Sequence, residues 1–246
     1  MTIATARAPL SRERVLAAAM ALADVEGLSA LTMRRLAADL GVEAMSLYHH
    51  VPGKELLLDG LAEAVIAEIS NAVAVEAGID DDWRTSLRRR CLVARDVIVR
   101  HRWAPNLLGS RSSIPAGLYP YYEEVLATLI RGGLSYHLGH RAIHSLGTLV
   151  LGFTQELFTP DSDGGSLDEE AAEAEFAAMA EALPHLTAMI ASEVHDHDED
   201  PLGWCDSQNE FEFTLDLLLD GLARAAERSG EDRLEAVTVS LAPRRG

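Results

Sequence analysis

Apolar positions along the chain recur at intervals of three and four, the period of a helix face packed on a core. Leu10, Val15, Leu16, Ala19, Leu22 and Ala23 form one such stripe, and Met33, Leu36, Ala37 and Leu40 form the next. Ser11 and Thr32 stand where N-caps belong, while Gly27 and Gly41 stand where helices end. These signals predict four short helices over 11–26, 32–40, 44–50 and 54–75, with Pro52-Gly53 separating the last two. The run Asp80-Asp81-Asp82 suits the positive N-terminal end of a helix over 83–102, which Pro105 is expected to close. Later periods predict helices over 115–131, 135–158, 167–183, 184–193 and 207–228, with charged, turn-rich loops at 159–166 and 195–201. No segment sustains strand alternation, and no repeat of 20–50 residues is visible. The expected fold class is all-α, with a flexible arm over 1–10 and a flexible tail over 229–246.

Composition sharpens this. The 246 residues include 37 Ala and 36 Leu but only 5% aromatics, so strong helix formers dominate. The longest uninterrupted apolar run, Val15–Ala23, has nine residues, about half the ~18 a membrane span needs. With Arg7, Arg12 and Arg14 before it, that run mimics a secretory signal, but Glu13 interrupts the basic stretch and the spacing is that of a packed amphipathic helix. Cys91 and Cys205 are the only cysteines, too few for a disulfide scaffold or thiolate metal cluster. They read as reduced thiols in the cytoplasm.

A formal charge of −18 argues against a polyanionic partner until its distribution is considered. Residues 142–223 hold no Lys or Arg and 19 Asp or Glu, whereas the rest of the chain carries 21 basic and 20 acidic residues. A near-neutral front end is thereby joined to an acidic body.

Helix, glycine turn, helix is the layout in which a second helix enters the DNA major groove by its N-terminal residues. The stretch Leu31-Thr32-Met33-Arg34-Arg35-Leu36-Ala37-Ala38-Asp39-Leu40-Gly41-Val42, then Ser46-Leu47-Tyr48-His49-His50-Val51 and Lys54-Glu55-Leu56-Leu57, resembles the DNA-binding domain of the tetracycline-repressor (TetR) family. The resemblance spans roughly residues 10–64 and implies a helix-turn-helix domain over 11–75. Leu36, Leu40, Val42, Leu47 and Val51 have the spacing of the stitching between the two helices. By resemblance, Thr32, Arg34, Ala44, Met45, Ser46, Tyr48, His49 and Lys54 face DNA. Tyr48 is assigned to a phosphate, Ala44 and Met45 to base edges or thymine methyls, Ser46 and His49 to adaptable hydrogen bonds, and Arg34 to a guanine or a phosphate. Lys54, the only lysine, stands at a helix N-terminus suited to a phosphate.

Beyond residue 80 the segments Asp82-Trp83-Arg84, His101-Arg102-Trp103-Ala104, Gly109-Ser110-Arg111 and Leu151-Gly152-Phe153 are similar to the ligand-binding domain of tetracycline repressors, which implies a ligand-binding and dimerisation domain over 80–228. In that subgroup two C-terminal helices pair across a dimer. Here Leu138, Leu146, Leu149 and Phe153, with Phe211, Leu215, Leu218 and Leu222, have the pattern of such a seam or of internal core. The subgroup's drug-anchoring and magnesium-binding histidines align with Ser70 and Leu107, and only the acidic residue survives, as Glu156. A lone carboxylate does not hold a chelated magnesium, so tetracycline is not expected as inducer. Ser70, Leu107, Ser110, Arg111, Gln155 and Glu156 border the expected cavity for a small, largely apolar molecule. No cofactor or metal is implied.

Two histidine clusters suggest other chemistry. His195-Asp196-His197-Asp198-Glu199-Asp200 reads as a solvated charge run, and His137, His140 and His144 share a helix face at i, i+3, i+7. A helical metalloenzyme built on that face with Glu156, or an acidic module that binds a protein, are the alternatives. No H-E-x-x-H motif, phosphate loop or nucleophile–base pair supports catalysis. The expectation is a non-enzymatic, homodimeric, ligand-responsive repressor on a palindromic DNA operator.

Overall fold

The computed structural model describes residues 9–76, 82–153, 177–178, 180–193 and 207–241, the side chains of 190–193 and 229–241 excepted. The helices that build it are α1 (Arg12–Glu26), α2 (Met33–Leu40), α3 (Ala44–Tyr48), α4 (Lys54–Glu76), α5 (Trp83–Arg100), α6 (Ala104–Ser110), α7 (Tyr119–Arg131), α8 (Tyr136–Gly152), α9 (Pro184–Glu193) and α10 (Ser207–Leu241). No strand occurs among the described residues.

Local chemistry sets the first boundaries. Ser11 Oγ accepts from the Arg14 amide at 3.2 Å and Thr32 Oγ1 from the Arg35 amide at 3.1 Å, so both act as N-caps. Gly41 adopts φ 64°, ψ 43°, a left-handed conformation that a Cβ disfavours. Its amide donates to Ala38 O and that of Val42 to Ala37 O, each at 3.0 Å, the paired closure that turns the chain sharply from α2 into α3. Leu36, Leu47 and Val51 are buried in the angle between them, and Val15–Ala23 lies in α1 with Val15 and Ala19 fully buried.

Several expected boundaries move. α3 ends at Tyr48, not residue 50, and α5 at Arg100, not 102. Pro105 does not close α5; it sits in the first turn of a separate helix, α6, where its missing N–H and fixed φ cost nothing. α7 begins at Tyr119 after a single 3-10 turn over Ala116–Leu118. α8 ends at Gly152 with Phe153 as its C-cap, and 154–158 of the 135–158 expectation lie outside the described residues, as do the 159–166 and 195–201 loops. Of the 167–183 helix, 177–178 and 180–183 are described; all but Leu183 are helical. α10 continues past 228 to Leu241 in place of a tail from 229, in spite of Gly230.

One apolar cluster runs from Val15 in α1 to Leu219 in α10. α4 belongs to both halves of the chain, packing against α1 and along α5. α10 is fastened to α5 by arginines on one face. Arg88 Nη2 reaches Glu212 at 2.6 Å and its Nε reaches Asp216 at 3.0 Å, while Arg84 pairs with Asp220. Buried Arg95 donates to Gln208 at 2.7 Å and Ser207 at 2.9 Å, with its guanidinium 5.3 Å from the Phe211 ring centroid. Phe211 and Leu215 are completely buried there, and Leu138, Leu146 and Leu149 of α8 are nearly so. Of the residues with the seam pattern, these five are thus buried inside the subunit, while Phe153, Leu218 and Leu222 are only partly buried. Among the described side chains of α10, Phe213 at 63% and Leu217 at 53% are the large apolar ones left exposed.

Candidate functional site

The first candidate surface is the α2–α3 corner and the start of α4. Met45 is 72% exposed and Tyr48 44%, although both lie in a five-residue helix whose Leu47 is fully buried. Ala44 and Ser46 are half-buried, and His49 is exposed as the residue after α3. Thr32 is exposed, with its hydroxyl already committed to capping. The adjacent arginines differ. Arg35 is held by Glu26 at 2.8 Å and by Asp39 at 3.0 Å, which raises its pKa, chiefly through the Asp39 hydrogen bond. Arg34 and Lys54 are exposed with no ion pair among the described residues. Two cations, an aromatic hydroxyl and an apolar tip are thus left exposed by α2, α3 and the start of α4.

The second is a cavity of about 340 Å³ inside the C-terminal half. Ile66 and Ile69 of α4, Leu87, Arg90, Cys91, Ala94 and Ile98 of α5, and Tyr121, Tyr122 and Val125 of α7 form three walls. Ile143, Leu146, Gly147 and Val150 of α8 form the fourth, and Leu108, Gly109 and residues 111–115 close one end. Desolvation pushes the Cys91 thiol and the Tyr121 hydroxyl up to about 12, so both are neutral.

The expected ligand contacts coincide with this cavity only in part. Arg111 lines it. Leu107 does not: it is fully buried on the other side of α6, and its neighbour Leu108 faces the cavity instead. The Ser110 hydroxyl donates to Leu107 O at 2.8 Å, closing the end of α6, and Ser70 sits half-buried on α4 away from the cavity lining. Gln155 and Glu156 lie outside the described residues, as does the 195–200 cluster. His137, His140 and His144 are exposed on the outer face of α8, the last two stacked edge-on at 4.6 Å. Among the described residues, no group of three His, Cys, Asp or Glu is placed to hold a metal.

Sequence reasoning missed Arg90, Tyr121 and Tyr122. The signal was present on α5, where Leu87, Cys91, Ala94 and Ile98 form an apolar stripe and Arg90 falls beside it.

The two surfaces are joined mechanically. Arg111 lines the cavity, and its guanidinium holds Asp59 at 2.7 Å and Glu55 at 2.9 Å, in the first two turns of α4 beside Lys54. At the opposite side of the joint, Asp24 of α1 accepts from Trp103 Nε1 at 2.6 Å and pairs with His101 Nδ1 at 2.7 Å. His101 Nε2 also reaches Glu68 of α4 at 3.1 Å. Partial burial opposes ionisation of Glu68, but hydrogen bonds from Arg100 and His101 hold its carboxyl below the usual carboxylate value.

Residues 15–61 match the family described as bacterial regulatory proteins, tetR family, and residues 77–226 match the tetracyclin repressor-like C-terminal domain. The chain is 31% identical over 230 residues to the HTH-type transcriptional repressor DrrR1 of Streptomyces coeruleorubidus, covering 90% of this chain and 81% of that protein. It is 33% identical over 150 residues to the tetracycline repressor protein class D of Escherichia coli, covering 61% of this chain and 67% of that one. Among solved structures, the TetR family protein ActR of Streptomyces coelicolor in complex with (S)-DNPA superposes with a TM-score of 0.63 at 25% identity, over 89% of this chain and 100% of that one.

Proposed function

The chain belongs to the tetR family of bacterial regulatory proteins, and from that premise we propose that it is a dimeric, DNA-binding transcriptional repressor whose hold on its operator is released by a small molecule in the α4–α8 cavity. Its curated relatives are transcriptional regulators, not enzymes, and no helix of the described residues is long and apolar enough to cross a membrane. The regulator acts in the cytoplasm, on DNA, without catalysis. The ligand-bound state of ActR supports a ligand-responsive reading for this relative of it.

The observation that carries the proposal is the placement of α4. Lys54 at its start follows the reading helix by six residues, while Ile66 and Ile69 wall the cavity. Fifteen residues at 1.5 Å each place the two ends about 22 Å apart, so a tilt of ~5° at the cavity moves the reading end by ~2 Å. In a two-fold dimer whose recognition helices occupy major grooves one turn apart, ~34–36 Å, such a shift breaks the match. The ligand achieves this only by binding the released conformation more tightly than the DNA-bound one.

On this reading Arg34, Met45, Tyr48 and Lys54 contact DNA directly, with Ala44, Ser46 and His49 around them and Thr32 holding α2 in place. Arg111 relays the state of the cavity to α4. The test is fluorescence anisotropy of the full-length protein against fragments of the DNA upstream of its own gene. Saturable binding to a palindromic site at two chains per site supports the proposal. Binding as a single chain, or equal binding to every fragment at 200 mM salt, refutes it.

A further inference from the structure

Beside its apolar walls the cavity carries the hydroxyls of Ser112, Ser113, Tyr121 and Tyr122 and two arginines. In a protein of net charge −18, its described lining contains no carboxylate, and its charged members are Arg90 and Arg111. Arg111 is engaged by both Glu55 and Asp59. Arg90 has one carboxylate, Glu124, at 3.1 Å, which is 59% exposed and therefore well solvated, whereas the Arg90 side chain is only 12% exposed. A partner screened by water compensates a desolvated cation poorly. Arg90 Nη1 is buried without a hydrogen-bond partner, as is Arg111 Nε in the same lining. The guanidinium lies 5.1 Å from the centroid of the Tyr121 ring, which lines the same cavity. The neighbouring Tyr121 hydroxyl and Cys91 thiol are both held neutral by burial and supply no counter-charge. A desolvated guanidinium in the lining, compensated only by a solvated carboxylate, is costly, and a ligand oxyanion beside it lowers that cost.

Resting on the reading of this cavity as the effector site, we propose that its effector is a planar aromatic molecule carrying one ionised acidic oxygen group. The anion sits on Arg90, and the ring system lies along Tyr121 and the apolar walls. A volume of about 340 Å³ is near the lower end of ligand pockets and suits two or three fused rings. This refines the expectation of a largely apolar inducer: the body is apolar, but one charge is required.

The experiment compares two probes of one frame, 9-anthracenecarboxylate and uncharged 9-anthracenemethanol, titrated by fluorescence into the full-length protein. The carboxylate is expected to bind about tenfold or more tightly than the alcohol, the range of a charge-assisted hydrogen bond. Arg90→Gln brings the carboxylate down to the alcohol's affinity without weakening the alcohol, and Arg90→Lys, which keeps the charge, retains part of the preference. Gly147→Leu provides the site control. Gly147 lines the cavity and a Cβ there meets no atom within 4 Å, so the larger side chain fills the space and excludes both probes. Equal affinity for both probes in the unmodified protein, with both excluded by Gly147→Leu, overturns the anion requirement while leaving the cavity reading standing. A carboxylate preference that survives Arg90→Gln also overturns it. Binding that Gly147→Leu does not diminish, or no binding of either probe, removes the effector-site reading and the proposal together.

Discussion

Lys54 and the Arg34-Arg35 pair offer a graded test of how this head holds DNA. Each phosphate neutralised by a cation contributes about 0.9 to the slope of log affinity against log salt. A dimer presents every contact twice, so Lys54→Ala should flatten the slope by roughly 1.8 if that lysine clamps a phosphate in each subunit. Between 50 and 200 mM salt, a fourfold change, that slope difference amounts to about a tenfold smaller loss of affinity. Arg34→Ala should act alike if it clamps phosphate, with an added change in half-site preference if it reads a guanine. Arg35→Ala is the control: its guanidinium is already neutralised by Glu26 and Asp39, so the slope should hardly move. Anisotropy titrations at five salt concentrations, on operator and on scrambled DNA, measure all three. An Arg35→Ala slope change equal to that of Lys54→Ala would show that local ion pairs do not predict which cations reach the backbone, and the reasoning would fail.

The cavity-filling Gly147→Leu variant should bind operator normally yet resist release by inducer, and replacing glycine inside α8 should raise stability by roughly 0.5–1 kcal/mol, read by urea denaturation. Asp24→Asn weakens the acceptor shared by Trp103 and His101, so it should cost about 1–2 kcal/mol in the same assay. Because the folded Glu68 carboxyl sits below its ordinary value of 4.5, its contribution to stability is complete above that value and is lost as pH falls through the lowered one. Melting temperature should therefore fall in acid below about pH 4.5, and Glu68→Gln should flatten part of that fall.

The reading head was legible because its signals are local. Ser11, Thr32, Gly27 and Gly41 each act on backbone groups within a few residues, and an amphipathic period identifies what is buried. The cavity was harder for the opposite reason. Whether Leu107 or Leu108 faces it depends on the phase of α6, which an alignment of sequence positions does not carry. Pro105 was misjudged because proline breaks a helix interior but favours a first turn, and only the structure separates the two. Phe211 and Leu215 fit a dimer seam by spacing, yet the arginine face of α5 draws that side of α10 inward. Arg90 was overlooked because a cation beside an apolar stripe reads as a side chain reaching for solvent.

The acidic character of the body bears on how the arginines of α5 work. Arg84, Arg88 and Arg95 receive partners from α10, and those pairs fix a long helix onto the domain. Arg90, two residues on from Arg88 and so nearly on the opposite side of the helix, is matched among the described residues by a solvated carboxylate, although acidic residues are abundant elsewhere in the chain. The same helix thus spends most of its cations on architecture and leaves one under-compensated against an apolar cavity. That imbalance gives an anion a reason to enter. Entry then acts at the place where Arg111 connects the cavity wall to Glu55 and Asp59, so a charge met at α5 is felt at the start of α4, next to the lysine proposed to grip DNA.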